Sequence, residues 1–255
     1  MKKIIITKKV IIANWKINPL TEKKAKKLFG DTVGGFKNSE NIELVICPPD
    51  IYLPLFKNHS QKVKLGAQDC FWKKGGAYTG EISPDILKNY GISYVILGHS
   101  ERRINLKETD IMIAQKIKIA QSAGLKTILC VGENAAQKRQ RNTFSVIKKQ
   151  LTESLSLLGK SKLSGLIIAY EPVWAIGPGD PCPRETALIA MANIKAMLVK
   201  LFGENGANIP ILYGGSVDAT NANNYLENDG FDGLLIGGAS LNGKEMTKIF
   251  SSIVG

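Results

Sequence analysis

Histidine is scarce in this chain: two among 255 residues, His59 and His99. A histidine cluster is therefore excluded, and any chemistry that needs an imidazole rests on one of two positions. His59, in Lys57-Asn58-His59-Ser60, reads as a solvated loop residue and is assigned no role. Cysteine is also sparse. Cys47, Cys70, Cys130 and Cys182 form no C-x-x-C pair and no zinc-ligand spacing, so no metal site is expected. Cys47 and Cys130 end apolar runs and read as small core residues, which suits a reduced, cytoplasmic setting. No apolar run approaches the ~18 residues that span a bilayer. Met1-Lys2-Lys3-Ile4-Ile5-Ile6-Thr7 opens like a signal peptide, but Lys8 and Lys9 interrupt it. It reads as a short basic extension, residues 1–9, before a single domain at 10–255. The dinucleotide fingerprint Gly-x-Gly-x-x-Gly is missing. Acidic residues are outnumbered, 22 against 34 basic ones, for a formal charge of +12. No nucleic-acid motif accompanies that excess. Lysine-rich helix faces such as Glu22-Lys23-Lys24-Ala25-Lys26-Lys27 account for it as solvation and mild steering of anions.

What is present is a regular alternation. Apolar runs at 10–13, 42–47, 63–68, 94–97, 127–131, 166–170, 209–213 and 233–236 read as strands. Amphipathic stretches separate them: from Thr21, at 50–58, from Pro84, at 107–123, 134–158, 183–202, after Asp218 and after Ser240. Several strands are apolar throughout, as in a parallel sheet covered on both faces. Eight strand–helix units at this length, with no linker or change of composition, predict a closed α/β barrel of (β/α)8 type. An open doubly wound sheet is the alternative.

Residues 169–179 are the most informative stretch. Leu166-Ile167-Ile168-Ala169-Tyr170 leads into Glu171, followed by Pro172-Val173-Trp174-Ala175-Ile176 and Gly177-Pro178-Gly179. A buried strand ends in a carboxylate, and a loop with a stiff start and a free end begins above it. Such a loop moves as a lid, and a carboxylate beneath an apolar lid suits a general base. Other polar residues follow other strands: Asn14 and Lys16 after the first, His99 and Glu101 after the fourth, Ser216 after the seventh, Gly237 and Gly238 after the eighth. All fall at carboxyl ends of strands, where barrel enzymes keep their sites. Glycines after strands seven and eight expose N–H groups suited to a phosphate. Base, imidazole, ammonium and phosphate cradle at one mouth suit proton abstraction beside the carbonyl of a small phosphorylated molecule.

Seven motifs, in order, carry a resemblance over residues 10–250: Ala13-Asn14-Trp15-Lys16, Gly76-Ala77-Tyr78-Thr79-Gly80-Glu81, Leu97-Gly98-His99-Ser100-Glu101-Arg102-Arg103, Cys130-Val131-Gly132-Glu133, Tyr170-Glu171-Pro172-Val173-Trp174-Ala175-Ile176-Gly177, Tyr213-Gly214-Gly215-Ser216-Val217 and Gly237-Gly238-Ala239-Ser240-Leu241. Together the chain resembles the triosephosphate isomerase family, whose fold is the TIM barrel. The resemblance implies isomerisation of dihydroxyacetone phosphate and D-glyceraldehyde 3-phosphate, a step of glycolysis and gluconeogenesis, through an enediolate. It makes Glu171 the base and a neutral His99 the electrophile, roles that are a general worked example of the chemistry. It makes Lys16 the stabiliser of negative charge, Asn14 its orienting partner and Glu101 a positioning carboxylate. Gly177, Ser216, Gly237 and Gly238 would bind phosphate. Pro172, Val173, Trp174 and Ile176 would form the lid, with Leu235 completing an apolar clamp. No metal or organic cofactor is implied. Thr79, on the loop after strand three, would reach the neighbouring subunit of a homodimer. No membrane or nucleic-acid partner is implied. The chain departs from the family at Gly177-Pro178-Gly179-Asp180-Pro181-Cys182-Pro183, a lid hinge that is shorter and richer in proline. That departure keeps two further readings open: an isomerase of a related ketose such as a tetrulose phosphate, or a non-catalytic barrel that binds an acidic partner.

Overall fold

The computed structural model describes residues 8–37, 41–57, 62–177, 181–228 and 230–254. The first seven residues of the expected extension, His59, and Pro178, Gly179 and Asp180 of the lid hinge lie outside the described residues. Eight parallel strands close on themselves in sequence order. They are β1 (Lys9–Asn14), β2 (Ile42–Cys47), β3 (Lys64–Ala67), β4 (Tyr94–Leu97), β5 (Lys126–Val131), β6 (Leu166–Tyr170), β7 (Ile211–Tyr213) and β8 (Gly233–Ile236). Closure is made by β1 on β8, with Val10 opposite Gly233 and Ala13 opposite Ile236. Gly233 is there for contact: a Cβ on it would stand 1.9 Å from the Val10 carbonyl oxygen.

The helices are α1 (Glu22–Gly35), α2 (Leu53–Phe56), α3 (Pro84–Asn89), α4 (Ser100–Asn105), α5 (Asp110–Ser122), α6 (Ala135–Arg139), α7 (Thr143–Ser154), α8 (Arg184–Phe202), α9 (Ala222–Leu226) and α10 (Gly243–Val254). Caps set several of their starts. Thr21, Ser83 and Thr109 each accept from a backbone N–H of the first turn of α1, α3 and α5, which stabilises each start by about 1 kcal/mol.

Each strand buries both faces. Val10, Ile12, Val45, Tyr94, Ile96, Ile128, Ile167, Ala169, Leu212 and Leu235 pack together inside the barrel. The intervening residues, among them Ile11, Leu44, Val95, Leu129, Ile168 and Ile211, pack outward under the helices. That double burial is why the strands read as unbroken apolar runs.

Four sequence expectations need correction. The stretch 107–123 begins its helix only at Asp110, because Lys107 takes a positive φ of 57°. The stretch 134–158 is two helices, α6 and α7, divided where Arg141 takes φ 58°. Helix α4, directly after His99, adds an element to the list of helical stretches. Finally, α8 and the turn after it, Arg184–Asn208, form one segment apolar and long enough to cross a membrane by composition, mean hydropathy 1.4. In the fold it is an outer helix whose Ala187, Ala190, Ile194, Leu198 and Phe202 stripe is buried against the barrel.

Candidate active site

Strand alternation gathers the polar groups before any loop is considered. Val10 and Ile12 face the interior, and the same parity carries to Asn14; Ile167 and Ala169 carry it to Glu171, and Leu235 to Gly237. On β3, β4, β5 and β7 the same step reaches Gln68, Gly98, Gly132 and Gly214, and on β2 it reaches Pro49. Polar side chains at the mouth are thus set among glycines. The glycines leave room: a Cβ on Gly132 would stand 1.8 Å from the Glu171 carbonyl oxygen, and one on Gly237 3.1 Å from Lys16 Cε. The resulting cavity, about 460 Å³, is lined by Asn14, Lys16, His99, Glu171, Ile176 and Leu235, with Gly177, Ser216, Gly237 and Gly238 along one side.

Glu171 is 2% exposed. Its backbone N–H donates to Val131 O at 2.8 Å, continuing the β5–β6 ladder past the strand end. Its Oε2 accepts from the Ser100 N–H at 3.0 Å, the first residue of α4. Among the described residues its Oε1 has no hydrogen-bond partner, and it lies 3.2 Å from His99 Nε2. One carboxylate oxygen is therefore anchored at a helix start, and the other is left for chemistry.

His99 caps α4, its Nδ1 accepting from the Glu101 N–H at 3.3 Å. A ring nitrogen that accepts carries no proton, so this contact puts a ring hydrogen on Nε2, the atom beside Glu171. Cys130 lies behind the carboxylate, its thiol pushed up well above the usual range by burial and then by Glu171.

Lys16 has a positive φ of 53°. For a side chain with a Cβ that costs on the order of 1 kcal/mol, and the surroundings must hold it. They do so at three points: Lys16 N–H donates to Asn14 Oδ1 at 3.0 Å, Lys16 O accepts from Gln68 Nε2 at 2.8 Å, and Nζ meets Glu101 Oε1 at 2.5 Å.

The lid begins as a short helical turn, Val173–Ala175, after Pro172. Glu133, 1% exposed, fastens it. It accepts from Trp174 Nε1 at 2.7 Å and from Tyr170 Oη, and its carbonyl accepts from the Val173 N–H at 3.0 Å. Lys138 lies over the Trp174 ring. The lid also occupies one expected phosphate donor: Ser216 N–H donates to Ala175 O at 3.1 Å, and Ser216 Oγ to Gly177 O at 2.8 Å. Among the described residues the N–H groups of Gly177, Gly237 and Gly238 have no protein acceptor. Thr79 is exposed and lines no part of this cavity.

The family model described as triosephosphate isomerase matches residues 9–253. Curated relatives named triosephosphate isomerase align along nearly the whole chain. That of Dictyoglomus thermophilum is 41% identical over 96% of this chain and 99% of its own. That of Idiomarina loihiensis is 40% identical over 96% and 98%, and that of Geotalea uraniireducens 40% over 95% and 97%. The chain belongs to the triosephosphate isomerase family. It is accordingly an isomerase built on a single TIM barrel. Sequence reading of this family member gave no role to Ser100, Gln68 or Glu133, although each touches a site residue or the lid. Ser100 and Glu133 stand within the quoted motifs, and Gln68 ends the third apolar run. The far end of the lid is held at Cys182, whose carbonyl accepts from Tyr225 Oη at 2.7 Å.

Proposed function

We propose that the barrel, whose first strand opens at Lys9 rather than at residue 10 as the sequence suggested, is catalytic, with the residues before it as a basic extension, and interconverts dihydroxyacetone phosphate and D-glyceraldehyde 3-phosphate. The observation that carries this reading is the convergence of an unpartnered Glu171 Oε1 and a His99 Nε2–H within 3.2 Å in a cavity edged by unengaged backbone N–H groups. Glu171 takes a proton from C1 of the ketose, and the electrons move to the carbonyl oxygen, giving an enediolate. His99 Nε2–H hydrogen-bonds that oxygen and exchanges protons between the two oxygens. Glu171 then returns its proton at C2. Lys16 stabilises the negative charge, Asn14 and Glu101 hold Lys16 in place, and Gly177, Gly237, Gly238 and Ser216 take the phosphate. Ser216 does so once its N–H is released from Ala175. Ile176 and Leu235 exclude water from the base. The reaction moves only protons, and these side chains supply them without metal or organic cofactor.

The enzyme is proposed to act as a cytoplasmic homodimer. Beside the cavity lies a second hollow of about 520 Å³, lined by Lys16, Ile17, Gln68, Glu101, Asn105 and Leu106. Ile17 and Leu106 are 84% and 61% exposed. The loop after β3, which carries Thr79, is the matching projection for a second copy.

Coupled assays with glyceraldehyde 3-phosphate and with a tetrulose phosphate test the substrate. The expected outcome is a kcat/KM higher for the triose by at least about 10-fold, the scale on which a pocket discriminates one added carbon. A preference for the four-carbon ketose would move the assignment to the related isomerase. No turnover of either would leave only the binding reading.

A further inference from the structure

Beneath the mouth, on the side away from the phosphate cradle, lies a buried set of charges that the proposed mechanism does not use. Lys116 of α5 is 2% exposed. Its Nζ contacts both oxygens of Asp69, at 2.8 and 2.7 Å, and Glu108 Oε1. Arg102 of α4 reaches Asp69 Oδ2 at 2.7 Å through Nη2 and Glu108 through Nε at 3.5 Å. Asp50 stands alongside, and among the described residues its buried Oδ1 and the second oxygen of Glu108 have no partner. The Lys116–Glu108 pair at its centre is buried on both sides, and a charge pair so placed is costly to assemble.

Its connections give it a use. Gln68 and Glu101 are two of the supports that hold Lys16 at its positive φ. Each is followed directly by a member of the cluster, Asp69 after Gln68 and Arg102 after Glu101. The loop after β3 and helix α4 thus each present one residue to Lys16 and the next to one another. Asp69 and Arg102 tie the two supports into one unit, and Lys116, backed by Glu108, fixes that tie to α5 from below. The start of α4 also carries His99 as cap and binds Glu171 through Ser100 N–H, so displacement of α4 would disturb the base as well.

We propose that Asp69 is a positioning residue for Lys16, acting through its joint contact with Arg102 and Lys116 to hold Gln68 and Glu101 in register. The proposal rests on the role given to Lys16 above. Removing the acceptors leaves each support free to shift separately, so the ammonium is lost as a fixed charge while the barrel remains.

A double-mutant cycle tests it. Asp69→Ala and Glu101→Gln each lower kcat/KM for glyceraldehyde 3-phosphate about 10-fold or more at pH 7.5, and the double variant is no worse than the poorer single variant, because both act through one lysine. Asp69→Asn, which keeps the shape and one acceptor oxygen, recovers most of the activity that Asp69→Ala loses. Additive losses, or an Asp69→Ala enzyme within twofold of wild type, overturn the proposal. Should Asp69→Ala fail to melt cooperatively, Arg102→Lys replaces it in the cycle. It keeps the charge but loses the fork that reaches Asp69, and the same two readings apply. A wild type without triose turnover overturns the isomerase reading instead. The positioning role of Asp69 is then read from a crystal structure of Asp69→Ala, where the Lys16–Glu101 contact must open; an unchanged contact overturns it.

Discussion

In the proposed role of Glu171 as base, a single methylene separates a competent reach from a poor one. Oε2 is held by the Ser100 N–H at 3.0 Å and Oε1 is free beside His99, so the backbone position and side-chain length together set where the free oxygen reaches. Shortening the side chain retracts the carboxylate by about 1 Å, and a misplacement of that size costs on the order of 100-fold in rate. Glu171→Asp is therefore expected to lower kcat about 100-fold while KM changes by no more than a few-fold, measured by steady-state turnover of glyceraldehyde 3-phosphate. A loss carried by KM would assign Glu171 to substrate binding. The residues brought to the mouth were legible in the sequence because each stands within a few positions of the carboxyl end of an apolar run; strand parity places Asn14 and Glu171, while His99 is placed as the cap of α4 and Lys16 by its turn at positive φ. The cluster under α4 was not. Lys116 and Asp69 are 47 positions apart, and a lysine in an amphipathic helix reads as solvated until its burial is seen.

At the scale of elements, legibility follows double burial. Strands β2, β4, β6 and β8 match their expected bounds, since a parallel strand covered on both faces is a plain apolar run. The helices were harder, because their breaks are backbone events. Lys107 and Arg141 adopt left-handed φ values that nothing in their chemistry announces, and α4 is too short to show a helical period. The loop after β3 is read from glycines and aromatics: Gly76 and Gly80 take φ of 125° and 95°, and Phe71 packs tilted against Trp72 and Tyr78 at centroid distances of 4.1 and 4.7 Å. A loop stiffened in this way is suited to docking, since little of its freedom is lost on binding. A charge placed on the facing hollow tests its partner. Leu106→Lys is expected to shift the proposed dimer toward monomers by at least about 10-fold in dissociation constant, read by sedimentation equilibrium. A monomeric wild type with full activity would remove the second copy from the site.

Across the whole molecule, the buried carboxylates set how stability responds to acid. Burial first, and then the neighbouring Asp69, push the Asp50 carboxyl up to about 6, against a smaller opposing effect of Arg102. Burial likewise leads in raising Asp69 to about 6. An unfolded aspartate titrates near 3.9, so between roughly pH 4 and 6 the folded chain holds protons that the unfolded chain releases. The sign follows from linkage: these two groups oppose folding above pH 6, and their unfavourable contribution shrinks as pH falls toward 4. The unpartnered Oδ1 makes Asp50 the group to change. Asp50→Asn removes one buried charge and the repulsion on Asp69. Two pKa units correspond to ~3 kcal/mol at most, and partial solvent access at Asp50 reduces this to about 1–2 kcal/mol at pH 7.5. For a chain of this size that is a rise in Tm of about 2–6 °C. Calorimetry at fixed protein concentration is expected to give that rise at pH 7.5 and a much smaller one at pH 5. An equal loss of stability at both pH values would mean that the Asp50 carboxylate holds a partner it was thought to lack.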